Sequence, residues 1–166
     1  MKKLIALFII VFAISAAAFS QSKINNGLYL VDYVDTVKVS EILLNDKEMI
    51  VYFSPMFDEF NSDKDTRIII DTTQYVPLEL ETPPVTEQQT ENKKKLLLSL
   101  TKEASERLES FTTKNIMRMV TLVVDGEALT LHKIKAVING GQLQITRCND
   151  NACETLYVKL KENIKK

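Results

Sequence analysis

Short apolar bursts dominate the chain from Gly27 to Glu81, and their composition is that of β-strands. They are rich in β-branched and aromatic residues and are separated by polar positions, which is typical of strands rather than helices. Asn45, Asp46 and Lys47, between two of the bursts, indicate a hairpin turn. We predict strands at 28–34, 37–44, 49–53, 67–70 and 76–80.

A polar stretch, ETPPVTEQQTENKKK, follows from Glu81 to Lys95. Its proline pair and scarcity of apolar side chains leave too little surface to bury for it to become ordered by itself. We therefore predict a polar linker at 83–95. It separates a β-rich N-terminal portion at 21–82 from a second domain at 96–166.

The second domain contains both strand patterns and helix patterns. Leu96 to Leu100 predicts a strand, and Thr101 is placed to cap the helix that follows. Ala104, Leu108 and Phe111 fall on one face of that helix. This combination predicts a strand that leads directly into an amphipathic helix.

Turn signals divide the rest of the second domain. Met119 to Val124 predicts a strand, and Asp125-Gly126 predicts a hairpin turn into Leu129 to Leu131. Gly140-Gly141 predicts a turn into a last strand that contains Leu143 and Ile145.

The apolar residues from Asn151 to Lys166 fit both the period of a strand and the period of a helix. Leu156, Val158 and Leu160 alternate as in a strand, whereas a second set follows the helical spacing. We favour the helix, because Asn151 and Glu154 form a capping-box pattern and lysines gather at the other end. The helical set is Cys153, Leu156, Tyr157, Leu160 and Ile164.

The N-terminus has the layout of a secretory signal. Lys2 and Lys3 precede an apolar run from Leu4 to Ile14, and small residues follow. We predict a signal peptide at 1–20, cleaved after Ser20, with an uncleaved anchor as the alternative. No later stretch has the roughly 20 apolar residues that a membrane-spanning helix needs, so we expect a periplasmic or secreted protein without a membrane span.

Charge and cysteine usage narrow the function. The chain has 21 basic and 22 acidic residues, and two of the basic ones lie in the predicted signal, which argues against nucleic acid as a partner. Cys148 and Cys153 are the only cysteines. Their spacing does not match a zinc site. Because export places them in an oxidising compartment, we predict a disulfide between them, with two free thiols as the alternative.

Candidate catalytic and metal residues are few. His132 is the only histidine, which removes most metal sites and most catalytic pairs that need histidine. Asn61, Asp63 and Asp65 match the first ligand positions of a calcium loop, but Thr66 stands where glycine is needed. We therefore expect a solvated loop there, no cofactor and no metal, and we find no catalytic motif.

An ordered set of turn and cap residues between Leu98 and Thr146 resembles the head of the first periplasmic domain of SecD, the membrane protein that assists protein export. In that family a helix ends in Thr-x-x-Asn, a strand ends in Asp-Gly, and an Ile-x-Gly-Gly turn precedes a strand with Gln-Ile. The residues that carry the resemblance are Thr112, Asn115, Asp125, Gly126, Ile138, Gly140, Gly141, Gln144 and Ile145.

The chain departs from the family at two steps. Met117-Arg118 stands where the family usually has Gly-Lys, and Leu131-His132 stands where it usually has Ala-Pro. The sequence also has no counterpart of the transmembrane helices of SecD. The resemblance implies an α+β fold, with an antiparallel sheet covered by helices on one face, and contact with polypeptide.

We therefore predict an exported binding or accessory module that contacts unfolded polypeptide or an envelope protein at an open sheet edge. Met117, Met119 and His132 are the candidate binding residues, with core packing as the alternative for the methionines. The alternative functions are a structural module of an envelope complex and an enzyme with an unrecognised site. An apolar groove would favour binding, whereas a concave polar pocket around His132 would favour an enzyme.

Overall fold

The computed structural model describes residues 24–36, 41–54, 66–91, 93–148, 150–161 and 164. This part of the chain is mostly strand with two helices, which confirms the predicted α+β class. The predicted signal at 1–20 and the acidic loop at 61–65 lie outside the described residues. The elements are β1 (Gly27–Asp35), β2 (Glu48–Phe53), β3 (Arg67–Pro77), β4 (Val85–Thr90), β5 (Lys93–Ser99), α1 (Lys102–Lys114), β6 (Met119–Val124), β7 (Glu127–Ala128), β8 (His132–Lys133), β9 (Gln142–Cys148) and α2 (Asp150–Lys161).

Five strands form a sheet that closes on itself, which we call the ring. β1 pairs with β3, β3 with β2, β2 with β7, β7 with β6, and β6 returns to β1. The β2–β7 pairing is parallel and the other four are antiparallel. β8 pairs with the start of β6. Closure removes sheet edges, since each ring strand has a neighbour on both sides.

A second sheet has the order β4-β5-β9. The linker predicted at 83–95 is therefore wrong, because these residues contain β4 and the start of β5, which pair as an antiparallel hairpin. Pairing of backbone groups needs no apolar side chain, and Lys95 Nζ also lies 2.9 Å from Glu87 Oε2. Leu96 and Leu98, fully buried, anchor β5 in the core. The domain boundaries drawn around the linker stay a prediction.

The strands predicted at 67–70 and 76–80 are largely one strand, β3, with a bulge. Residues 72–74 have no place in the register between β3 and β1. Asp71 holds this bulge, because its carboxylate accepts hydrogen bonds from Thr73 N (2.8 Å), Thr73 Oγ1 (2.6 Å) and Gln74 Nε2 (2.7 Å). Burial raises the pKa of Asp71, but these hydrogen bonds outweigh it and lower the pKa overall. Polar residues that resemble a strand end thus form a bulge within one strand.

Two other strand predictions fail in the part that the structure describes. Residues 41–44 of the predicted strand 37–44 form no strand, and residues 37–40 are not described. The turn at Asp46-Lys47 exists, with Glu48 N donating to Asn45 O at 3.1 Å, but it leads from a loop into β2. The strand predicted at 129–131 is replaced by the two-residue β7, which ends at Ala128.

Two apolar clusters lie on opposite faces of the ring strands. Alternate residues of a strand point to opposite sides, so Tyr29 and Val31 of β1 face the ring interior while Leu28 and Leu30 face outward. The outer cluster is shared by the ring, the second sheet and both helices. The inner cluster contains Tyr29, Val31, Val51, Ile68, Ile70, Val123 and Ala128.

Both helices were predicted from the sequence. The side chain of Thr101 caps α1 by accepting a hydrogen bond from Ala104 N at 3.3 Å, and Ala104 and Leu108 are fully buried. α2 confirms the helical interpretation of the C-terminal segment, although it begins at Asp150, one residue before the predicted cap Asn151. That both helices cover one face of a sheet stays a prediction.

Candidate functional site

An apolar groove lies between β9 and the segment 130–138, and it encloses about 400 Å³. This volume is within the range of ligand-binding pockets. One wall is β9, and the other wall is β8 with the residues that follow it. The groove is therefore the place where the ring and the second sheet approach each other.

The floor of the groove belongs to the outer cluster. Leu28 of β1 and Val120 and Leu122 of β6 reach it from the outer face of the ring, and Ile145 reaches it from β9. These four side chains are 8%, 5%, 4% and 1% exposed. Because they are packed in the core, the floor is apolar and held in place without any ligand.

β9 presents an open edge to the groove. Among the described residues it pairs with β5 on one side, and no strand pairs with its other side. Leu100 N donates to Gly141 O at 2.9 Å, and hydrogen-bonded pairs alternate along an antiparallel ladder. The register therefore places hydrogen bonds to β5 at Leu143, and it directs the backbone N–H and C=O groups of Gln142 and Gln144 toward the open edge.

The opposite wall is basic. His132, Lys133 and Lys135 line it and are exposed, while Ile134 between them is buried. The Ile134 carbonyl accepts a hydrogen bond from Met117 N at 2.8 Å, which fixes this wall to the loop after α1. The described lining contains no Asp or Glu, so its charged side chains are the lysines of this wall.

The Thr-x-x-Asn step connects α1 to the same wall. Thr112 Oγ1 donates to Leu108 O at 2.8 Å and accepts from Ile138 N at 3.0 Å. Asn115 ends the helix, and its Nδ2 donates to Phe111 O at 3.0 Å. Thr112 and Asn115 are buried. Two separate pieces of the sequence motif, Thr112 and Ile138, thus meet in one hydrogen bond.

The Gly-Gly turn determines how β9 begins. Gly140 and Gly141 have φ of +78° and +65°, which favours glycine. A Cβ on Gly141 would lie 1.8 Å from Ser105 Oγ of α1, so the helix packs directly on this turn. Gln144 follows in the middle of β9, exposed and on the groove wall.

The Asp125-Gly126 turn lies outside the groove lining, and its contacts hold the fold together. Its φ values are +52° and +82°, as a tight hairpin turn requires. Asp125 N donates to Asn26 Oδ1 at 2.7 Å, and Asp125 Oδ2 lies 3.1 Å from Lys159 Nζ. The first contact joins the turn to the residue before β1, and the second joins it to α2.

The structure separates the three candidate binding residues. His132 lines the groove. Met119 packs against the cluster inside the ring, in agreement with the alternative of core packing. Met117 is 61% exposed, lies outside the described lining, and has φ of +68°. That conformation favours glycine, which accounts for the glycine that the family usually has at this place and makes Met117 a strained substitute.

Sequence reasoning missed the basic wall and the open side of β9. The sequence signal for the wall is the alternation of exposed Lys133 and Lys135 around buried Ile134. The signal for β9 is the alternation of exposed Gln142 and Gln144 around Leu143. Neither pattern shows that the two segments face one another, because that depends on the pairing of distant strands.

The two cysteines lie at neighbouring elements. Cys148 ends β9, and Cys153 is 1% exposed in α2. The Cys148 side chain is outside the described part of the structure. The disulfide therefore stays a prediction, which non-reducing mass spectrometry of the native protein can check.

Metal and membrane features can be assessed for the described residues. In that part of the chain, no group of three or more His, Cys, Asp or Glu residues is arranged to hold a metal ion. In the same residues no helix is both long and apolar enough to cross a membrane. The ligand positions 61–65 of the calcium-loop pattern are not described.

The family described as "SecDF, P1 head subdomain" matches residues 65–163, which is more than half of the chain. The chain belongs to this family. The resemblance found in the sequence is thereby confirmed, and the match includes α1, β9, α2 and both walls of the groove. A search of curated proteins finds no match.

Two solved SecDF structures are similar to this P1 head protein. "Structure and function of a membrane component SecDF that enhances protein export" has a TM-score of 0.42 and 23% identity, and covers 49% of this chain and 37% of that chain. "Crystal structure of SecDF in Super-membrane-facing form" has a TM-score of 0.49 and 18% identity, and covers 83% of this chain and 18% of that chain. The matched part of the present chain thus covers well under half of either SecDF chain.

Proposed function

We propose that this P1 head protein is an accessory module of protein export that holds an extended, unfolded segment of polypeptide along β9. The observation that carries the proposal is the open edge of β9 beside an apolar floor. A chain added to such an edge gains backbone hydrogen bonds that do not depend on its sequence. Apolar side chains of the same segment would contact Leu28, Val120 and Leu122.

The chemistry of the groove favours binding over catalysis. His132 shares its wall with Lys133 and Lys135, and the described lining offers no carboxylate to orient its ring. Histidine in a catalytic site is usually oriented by such a partner. The groove therefore fits the apolar alternative that the sequence left open, and not the polar pocket expected of an enzyme.

Family membership supports the same proposal from a second direction. SecDF is described as a membrane component that enhances protein export, a process that acts on polypeptide chains. We extend the proposal to location: the protein is exported to the periplasm after cleavage behind Ser20. Intact-mass analysis of the exported protein would then give a chain that begins at Gln21.

Binding of a labelled exported protein in its unfolded and folded forms tests the function. Fluorescence polarisation should give micromolar or weaker affinity for the unfolded form and no binding of the folded form. Ala136 is exposed and lines the groove, whereas its exposed neighbour Val137 is not in the described lining. Ala136→Gln should therefore weaken binding, and Val137→Gln should serve as the matched control.

Three results would contradict the proposal. Absence of binding to several unfolded chains would favour the structural-module alternative. Equal binding of folded and unfolded forms would exclude recognition of extended backbone. Equal weakening by Ala136→Gln and Val137→Gln would place the binding surface outside the groove.

A further inference from the structure

The side chains of β9 alternate between the two faces of the strand. Leu143 and Ile145 point into the outer cluster, whereas Gln142 and Gln144 are exposed on the opposite side. A strand added to β9 continues this pleat, so its alternate side chains would face the same two sides. One row would contact the apolar floor, and the other row would lie beside the glutamines.

The outward row would also face the basic wall. Lys133 and Lys135 flank buried Ile134, and alternation along an extended segment turns both lysines away from the core. His132 is exposed on the same wall. The chain has slightly more acidic than basic residues, yet the described lining has Lys and His without Asp or Glu. This charge is therefore a local property of the groove.

Resting on the function proposed above, we propose that the groove selects extended segments in which apolar side chains alternate with acidic ones. The apolar row packs on Leu28, Val120 and Leu122, and the acidic row pairs with Lys133 and Lys135. The Gln144 side chain on β9 can donate hydrogen bonds to the same carboxylates, whereas Gln142 Nε2 donates to Ser99 Oγ of β5 at 3.1 Å. Selectivity then comes from the outward row, while the backbone supplies binding common to all sequences.

The length of the selected segment follows from the length of β9 along the groove. β9 lines the groove with four residues, Gln142 to Ile145, and a strand rises about 3.3 Å per residue. The groove therefore spans about 13 Å, which accommodates two apolar and two acidic side chains of one segment.

Four peptides of equal length test this inference: alternating Val-Glu, alternating Val-Gln, alternating Val-Lys, and a Val-Glu peptide with its valines grouped together. We expect alternating Val-Glu to bind about tenfold more tightly than Val-Gln, as two partly exposed ion pairs would give, and Val-Lys to bind most weakly. The grouped peptide should lose the advantage, because its apolar and acidic side chains no longer face separate sides. The preference should shrink with added salt, because exposed charges are screened.

Protein variants assign the effect to the wall. The double variant Lys133→Ala/Lys135→Ala should bind Val-Glu about tenfold more weakly and Val-Gln unchanged. Lys102→Ala, which removes an exposed lysine at the start of α1, should leave both affinities unchanged. Circular dichroism of each variant verifies the fold.

The outcomes separate this inference from the proposed function. Equal affinities for the Val-Glu, Val-Gln and Val-Lys peptides would overturn the acidic preference and leave polypeptide binding intact. Equal loss of Val-Glu binding in the Lys102→Ala control would overturn the assignment to the basic wall. Absence of binding by every peptide, together with absence of binding by unfolded proteins, would overturn both proposals.

Discussion

The ring and the three-stranded sheet differ in what happens at their edges. Ring strands have neighbours on both sides through the β6–β1 closure, so their backbone groups are used within the protein. The sheet β4-β5-β9 ends in β4 on one side and in β9 on the other. The ring is thus suited to stability, and the sheet retains backbone groups that can pair with another chain.

The two outer strands of the second sheet also differ from each other. All six residues of β4 are exposed, and most are polar, so an added chain would find little apolar surface there. β9 lies beside an apolar floor. Exposed backbone is common to both edges, and only the neighbouring side chains distinguish β9, the binding edge proposed above.

The largest expected effect comes from opening a cavity inside the ring. Ile70 is fully buried there, so Ile70→Ala should lower the free energy of unfolding by about 2–5 kcal/mol. Val85→Ala on β4, where the side chain is 54% exposed, should cost less than about 0.5 kcal/mol. Chemical denaturation measures both. Similar losses for the two variants would contradict the packing of Ile70 inside the ring.

The Gly-Gly turn before β9 offers a matched pair with smaller effects. Gly141→Ala should lower the free energy of unfolding by about 2–4 kcal/mol. The φ of this residue is unfavourable for alanine, and the added Cβ would collide with Ser105. At Gly140 nothing lies within 4 Å of the added Cβ, so Gly140→Ala should cost only the conformational part, about 1–2 kcal/mol. Equal losses in denaturation would show that α1 does not pack on this turn.

Met117 provides the smallest effect, and its sign is opposite. Met117→Gly should raise the free energy of unfolding by about 0.5–1 kcal/mol. Glycine removes the backbone strain at φ of +68°, and this gain exceeds the cost of the greater conformational entropy of the unfolded chain. The exposed side chain loses little packing. Met117→Ala keeps a Cβ and should give no such gain. Thermal denaturation distinguishes the two variants, and a loss on Met117→Gly would refute the strain at this residue.

Local patterns in the sequence predicted the elements that depend on neighbouring residues. The Thr101 cap and the Gly140-Gly141 turn follow from the residue types at those positions. The apolar face of α1 and the helical period around Leu156 follow from the spacing of apolar residues. These features require only short-range contacts. The sequence alone therefore predicts them.

Features that depend on distant strands were not predictable in the same way. β4 is polar enough to resemble a linker, and it becomes a strand because β5 is anchored by Leu96 and Leu98. The bulge at Asp71 depends on pairing between β3 and β1. The groove likewise forms only when β9 and Ile134 are brought opposite each other. Sequence reasoning could propose an open edge, but tertiary pairing decides which strand has it.

Amide hydrogen exchange along β9, measured by NMR with and without an unfolded exported chain, tests the central claim most directly. In the free protein the amide of Leu143, which faces β5, should exchange slowly, whereas those of Gln142 and Gln144 should exchange quickly. Saturating polypeptide should slow Gln142 and Gln144 and leave Leu143 unchanged. Binding that leaves the amides of Gln142 and Gln144 as fast as before would contradict pairing of the exported chain with this edge.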